Sequence, residues 1–90
     1  MRVARRYVIS GRVQGVGFRF FTEAAASREG LHGWVQNVPD GTVEIWAEGE
    51  QESMERFERN VRQGPPGARV TDVQIEDLSP SHRVTGFSVR

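Results

Sequence analysis

The sequence predicts a small α+β domain in which two helices pack on one face of an antiparallel sheet. Segments with strand-like alternation and segments with helical spacing follow the order strand, helix, strand, strand, helix, strand, and a short strand comes last. Glycine and proline clusters separate these segments. The length of 90 residues suits one domain, 1–90. The element order is that of the split βαβ, ferredoxin-like fold, an α/β sandwich of the pattern βαββαβ.

The first half of the chain supplies three strands and a helix. Residues 3–13 are rich in Val, Ile and Tyr and alternate in part, which predicts the first strand. From residue 18 or 19 to residue 29, spacings of three and four relate Phe20, Phe21, Ala24, Ala25 and Arg28, which predicts a helix that ends at Gly30. Residues 31–38 and 42–48 flank the turn signal at 39–41. They are therefore expected to form an antiparallel hairpin.

The second half begins where Gly49 is expected to break the third strand. Residues 51–63 predict a second helix with Met54, Phe57 and Val61 on its inner face, and the Gly-Pro-Pro-Gly cluster at 64–67 predicts its end. Residues 70–78 alternate as a fourth strand. Phe87 and Val89 predict the short last strand.

The composition excludes several classes of site. Without cysteine the chain has no disulfide scaffold, iron–sulfur cluster, thiol nucleophile or Cys-type zinc site. His32 and His82 have no ligand-spaced partners, so no metal is expected. No apolar run approaches the roughly 20 residues that span a bilayer, and a cytoplasmic protein without membrane contact is expected. Residues 1–22 carry five arginines and no acid, which is typical of solvated surface charges and is also compatible with attraction of a small anion.

The segment Gln14-Gly15-Val16-Gly17-Phe18-Arg19 joins the first strand to the first helix. Its glycines allow backbone conformations in which successive N–H groups form a concave anion site. The helix N-terminus adds free N–H groups, and Arg19 adds a planar donor fork suited to phosphate. Taken alone, the glycines favour an ordinary strand-to-helix turn with a surface arginine.

Asn37 lies near the end of the second predicted strand, within Gly33-Trp34-Val35-Gln36-Asn37. An asparagine beside a turn commonly makes a local hydrogen bond. Its amide also has a donor and an acceptor, so it is able to orient a water molecule by two contacts. Taken alone, the position leaves both interpretations open.

Together, the two motifs resemble those of the acylphosphatase family. The first is residues 11–19, and the second is residues 33–37 followed by Gly41-Thr42-Val43 and Gly49. The resemblance covers nearly the whole chain. It implies an enzyme that hydrolyses the carboxyl–phosphate bond of small acyl phosphates without metal or cofactor. It also implies that Arg19 and the N–H groups of the loop bind phosphate, that Asn37 positions the attacking water, and that Thr42 supports the site without touching substrate.

Two other functions remain open from the sequence. RNA-recognition domains share the βαββαβ order, but they place several aromatic and basic residues on the central strands, and residues 42–48 lack that pattern. No nucleic-acid partner is therefore expected. The second alternative is a non-catalytic domain that binds phosphate or carbamoyl phosphate, because similar modules occur within larger carbamoyl-transfer proteins. A site within one domain favours a monomer.

Overall fold

The computed structural model describes all 90 residues as five strands and two helices. The elements are β1 (Arg2–Arg12), α1 (Phe18–Arg28), β2 (His32–Asn37), β3 (Val43–Glu50), α2 (Gln51–Gln63), β4 (Arg69–Leu78) and β5 (Phe87–Val89). This order confirms the prediction from the sequence. Most predicted boundaries lie within one residue of the observed ones, because each element ends at a glycine, a proline or a change of apolar spacing.

The five strands form one sheet in the order β4-β1-β3-β2-β5. The β1–β3, β1–β4 and β2–β3 pairs are antiparallel, and β2–β3 is the predicted hairpin. The fold class is confirmed as ferredoxin-like. The sheet is mixed because β5, which returns through residues 79–86, lies parallel to β2.

Glycine 49 does not break β3, although the sequence predicted that it would. The strand continues to Glu50 because Val3 and Arg2 of β1 pair with Gly49 and Glu50. A Cβ atom on Gly49 would overlap the side chain of Leu31. A larger residue at position 49 would therefore require the Leu31 side chain to repack.

One apolar core of 14 buried residues lies between the helices and the sheet. It includes Met54, Phe57 and Val61, which confirms the predicted inner face of α2. Burial of each large apolar side chain contributes about 1.5–3 kcal/mol. The periodicity of α1 predicted a helix but did not identify its buried face, which consists of Phe18, Thr22, Ala25 and Ala26. The ring of Phe20 is exposed.

A buried carboxylate fastens the β4–β5 connection to the other face of the sheet. Glu48 is fully buried and accepts hydrogen bonds from the N–H groups of Ser81 and His82, both at 2.8 Å, and from Arg2 Nε at 2.6 Å. The Ser81 hydroxyl donates a fourth, at 3.1 Å. Burial alone would raise the pKa of Glu48, but these donors lower it to about 2. Below, these groups are called the Glu48 cluster.

Candidate active site

The loop between β1 and α1 has the conformation expected of an anion site. Gly15 and Gly17 both have positive φ, at 73° and 78°. Gly17 is also the N-cap residue of α1, and no side chain caps this helix end. Left-handed conformations of this kind turn successive N–H groups toward one side of the loop.

The N–H groups of this loop have no acceptor in the protein. None of the backbone hydrogen bonds outside regular helices and strands has a donor in residues 14–20, and the first such donor of α1 is the Phe21 N–H, which bonds to the Gly17 carbonyl. Seven consecutive N–H groups are thus available to a ligand. Their number exceeds the four that any helix N-terminus leaves unpaired.

Gln14 connects the loop to the turn between β2 and β3. Its Nε2 donates to the carbonyl oxygens of Val38 at 2.8 Å and Thr42 at 2.9 Å. The side-chain amide of Gln14 is therefore occupied within the protein, and only its backbone N–H faces no acceptor. The sequence placed Gln14 among the phosphate-binding residues but did not predict this connection.

The Gln14 connection explains how two distant motifs come together. Val43 of β3 is paired with Ile9 of β1 on one side and with Asn37 of β2 on the other. Asn37 and Ile9 thus lie two strand spacings apart, about 10 Å. By reaching across the end of β3, Gln14 brings the loop to the end of β2.

Arg19 lies in the first turn of α1. Its Nη1 donates to the backbone carbonyl of Arg90 at 2.9 Å, and its guanidinium carbon lies 6.0 Å from the centroid of the Phe20 ring. The contact with Arg90 was not predicted, because residues 19 and 90 meet only when β5 pairs with β2. The other donors of the guanidinium remain free, since the side chain makes no salt bridge.

Asn37 ends β2, and its amide makes no hydrogen bond with another protein group. The local turn uses Asp40 instead. Its Oδ1 accepts from the N–H and hydroxyl of Thr42 at 2.9 and 2.7 Å, and the hydroxyl bond contributes most to the lowered pKa of Asp40. Thr42 thus organises the turn and accepts from Gln14 through its carbonyl. The Asn37 amide is left for another partner.

These residues surround a cleft of about 120 Å³. It is lined by residues of the β1–α1 connection, α1 and β2: Val13, Gly15, Gly17, Phe18, Arg19, Phe20 and Asn37. A larger, shallow hollow of about 520 Å³ lies beside Phe21 and residues 63–68 and shares no residue with this cleft. We regard the smaller cleft as the site because both predicted motifs meet there.

The arginines of the first 22 residues contribute unequally to the potential of the cleft. Arg2, Arg5 and Arg6 form salt bridges with carboxylates. Arg12 and Arg19 form none, and both lie at the end of β1 or just beyond it. The positive potential predicted from all five arginines therefore rests mainly on these two. No carboxylate lines the cleft.

Comparison with known proteins agrees with this geometry. The acylphosphatase family model matches residues 5–89. The chain belongs to the acylphosphatase family. An acylphosphatase of Bacillus licheniformis is 50% identical over 84 residues, which cover 93% of each chain. The crystal structure of the Bacillus subtilis acylphosphatase superposes with a TM-score of 0.95 at 39% identity, covering 98% of each chain.

A third relative is a domain within a larger protein. Full-length HypF, crystallised with phosphate and nucleotide, matches the whole of this chain over 12% of its own length, with 31% identity and a TM-score of 0.91. Acylphosphatases are enzymes that hydrolyse acyl phosphates. In this chain, no three His, Cys, Asp or Glu side chains lie close enough to hold a metal ion. Neither helix is long and apolar enough to cross a membrane.

Proposed function

We propose that the chain hydrolyses the carboxyl–phosphate bond of small acyl phosphates to give a carboxylate and inorganic phosphate, without a metal. The observation that carries the proposal is the run of seven N–H groups without a protein acceptor, in a segment of which Gly15, Gly17 and Arg19 line the same cleft as Asn37. Donors fixed in this way stabilise a phosphoryl group without having to reorganise as charge moves.

In the proposed reaction, the loop N–H groups and the free donors of Arg19 hold the phosphoryl oxygens. Asn37 holds a water molecule through its amide and directs the oxygen at phosphorus. The new P–O bond forms as the bond between phosphorus and the acyl oxygen breaks. The acyl oxygen leaves with the bonding electrons as a carboxylate. One water proton stays on the new hydroxyl group, and the other passes to a phosphate oxygen, which gives H₂PO₄⁻.

The chemistry of the substrate explains why so few groups suffice. The leaving carboxylate is the base of an acid with a pKa of about 4, so it departs at neutral pH without a proton donor. Phosphoryl transfer has a largely dissociative transition state in most analyses, so positioning and charge stabilisation supply most of the rate enhancement. The donors of the cleft, an arginine and amides, match those two requirements.

The proposal includes a monomeric, single-domain, cytoplasmic protein. The residues that line the cleft come from one copy of the chain, so the reaction needs no partner subunit. Residues 1–90 form one sheet with both helices packed on it. The absence of cysteine suits a reducing compartment.

The likeness to HypF favours one alternative, a domain that binds phosphate or carbamoyl phosphate without turning it over. Both functions require the N–H donors and Arg19, so phosphate binding does not separate them. Turnover does, because only the hydrolase needs a water-directing group such as Asn37.

The test is phosphate release from synthetic benzoyl phosphate in the presence of EDTA. We expect turnover by the wild type, with or without EDTA, and a loss on the order of 10²–10³ in kcat/KM for Arg19→Gln. The fold should be unchanged by circular dichroism, because Arg19 is on the surface of α1. Arg59→Gln, which removes an exposed arginine of α2 outside the cleft, is the matched control. Near-normal turnover by Arg19→Gln, or loss of turnover in EDTA, would contradict the mechanism.

A further inference from the structure

Phe20 is a large apolar side chain exposed at the rim of the cleft. It is 63% exposed, whereas the neighbouring aromatic Phe18 is 2% exposed and belongs to the core. Phe20 lines the same cleft as Arg19 and Asn37. Nothing in the fold requires a phenylalanine there, because the inner face of α1 is made by other residues. Because the exposed ring lines the same cleft as these polar groups, it is positioned to contact a ligand bound there.

The proposed substrate has two chemically different ends. Its phosphoryl group carries the negative charge and is matched by the loop N–H groups and Arg19. Its acyl group is uncharged, so apolar side chains suit it better than cations. Of the apolar residues that line the cleft, Val13 and Phe18 are buried. Phe20 is the exposed one, and it follows Arg19 directly.

We propose that Phe20 is a specificity-determining residue that binds the acyl group and favours aromatic or extended apolar acyl phosphates over small ones. This inference rests on the proposed hydrolase function. An aromatic acyl group stacks offset or edge-on against the Phe20 ring while its phosphoryl group lies in the loop. An acetyl group is too small to cover the ring. The contact therefore discriminates between substrates without affecting the bond that breaks.

The cation–π contact with Arg19 gives Phe20 a second possible role, because a ring 6.0 Å from the guanidinium carbon helps to orient it. The two roles differ in what they affect. Orientation of Arg19 would affect every substrate equally and would also change the affinity for inorganic phosphate. Binding of the acyl group changes the ratio between substrates. Arg19 is in addition held by the Arg90 carbonyl, independently of Phe20.

The experiment compares kcat/KM for benzoyl phosphate and acetyl phosphate in the wild type, Phe20→Ala and Phe20→Leu. We expect Phe20→Ala to lower the benzoyl-to-acetyl ratio about ten-fold, chiefly through a higher KM for benzoyl phosphate. Phe20→Leu keeps an apolar surface and should restore part of the ratio. The inhibition constant for inorganic phosphate should stay the same. Ile75→Ala, which removes another exposed apolar side chain on β4 outside the cleft, should leave the ratio unchanged.

Three results would overturn the proposal. An unchanged ratio in Phe20→Ala, while the wild type hydrolyses both substrates, refutes acyl binding by Phe20 and leaves the hydrolase function standing. Equal losses for both substrates together with weaker phosphate inhibition assign Phe20 to the orientation of Arg19 instead. If the wild type hydrolyses neither substrate, the hydrolase function fails, and the role of Phe20 fails with it.

Discussion

The two ends of β1 each lie beside backbone N–H groups that are arranged to hold an anion. At the start of the strand, the anion is the buried carboxylate of Glu48. It accepts hydrogen bonds from two N–H groups, a hydroxyl group and the guanidinium of Arg2. Beyond the other end, seven N–H groups of residues 14–20 have no protein acceptor. No carboxylate lines the cleft beside these N–H groups.

The comparison shows how backbone N–H groups contribute to stability at one end of β1 and are available for function beyond the other. Where the protein supplies the anion, the hydrogen bonds fasten the β4–β5 connection and contribute to folding. Where it does not, backbone N–H groups have no partner within the protein and contribute little to stability. They remain available to a phosphoryl group. Four experiments test this contrast.

The largest effect is expected from Asn37→Ala. If the N–H groups and Arg19 bind phosphate while Asn37 directs water, kcat falls on the order of 10²–10³ and the inhibition constant of inorganic phosphate is unchanged. Steady-state kinetics with inorganic phosphate as inhibitor measures both. Asn60→Ala makes the same change on α2, outside the cleft, and should have no effect. A variant that loses phosphate affinity and keeps its kcat would refute the assigned role.

At the other end of β1, Glu48→Ala should lower the free energy of unfolding and leave the activity unchanged. Removing the carboxylate leaves Arg2 and two N–H groups without their acceptor, and loss of one partner of a buried ion pair costs about 3 kcal/mol. Urea denaturation measures this loss, with Glu76→Ala as control, because Glu76 is 62% exposed and its ion pair is long. If Glu48→Ala is as stable as the control, the Glu48 cluster does not fasten the connection.

The pH dependence of stability provides a second measurement on the same cluster. The folded pKa of Glu48, about 2, lies below its ordinary value of 4.5, so its contribution is fully present above pH 4.5. The contribution is lost as the pH falls from 4.5 toward 2. The stability difference between wild type and Glu48→Gln should therefore narrow across that interval. A difference that stays constant would show that the Glu48 charge is not involved.

The smallest effect is expected from Arg12→Gln. Arg12 has no salt bridge and ends β1 just before the loop, so it raises the local potential without lining the cleft. We expect kcat/KM to fall about two-fold to three-fold at low ionic strength and to match the wild type in about 0.5 M salt. Arg83→Gln removes the same charge beside the Glu48 cluster and should change neither value. A loss that persists in high salt would indicate direct contact with substrate.

The sequence predicted the parts of this protein that depend on local spacing. Alternation and helical periodicity identified every element, and the apolar spacing of α2 identified its buried face. We selected the loop glycines, Arg19 and Asn37 as site candidates because of the backbone conformations and hydrogen bonds that these residue types allow. The resemblance to a family then linked them. The cleft brings Arg19 and Asn37 together, and the roles assigned to them remain predictions.

What the sequence did not predict depends on contacts between distant segments. Gly49 continues β3 because β1 pairs with it and Leu31 packs against it. Gln14 was assigned to phosphate, although its side chain holds the β2–β3 turn. The Arg19 contact with Arg90 needs β5 beside β2, and the exposure of Phe20 depends on which face of α1 meets the core. Local patterns carry no information about these partners.

The absence of an acid–base pair from the cleft has a consequence for the pH range over which the site can work. Backbone and side-chain amides do not ionise in water, and a guanidinium keeps its proton throughout the physiological range. No histidine or carboxylate lines the cleft. On the proposed mechanism, we therefore expect no protonation step of the protein between the pH at which the substrate ionises and the pH at which the chain unfolds. Changes in pH should therefore alter the rate by changing the charge of the acyl phosphate itself.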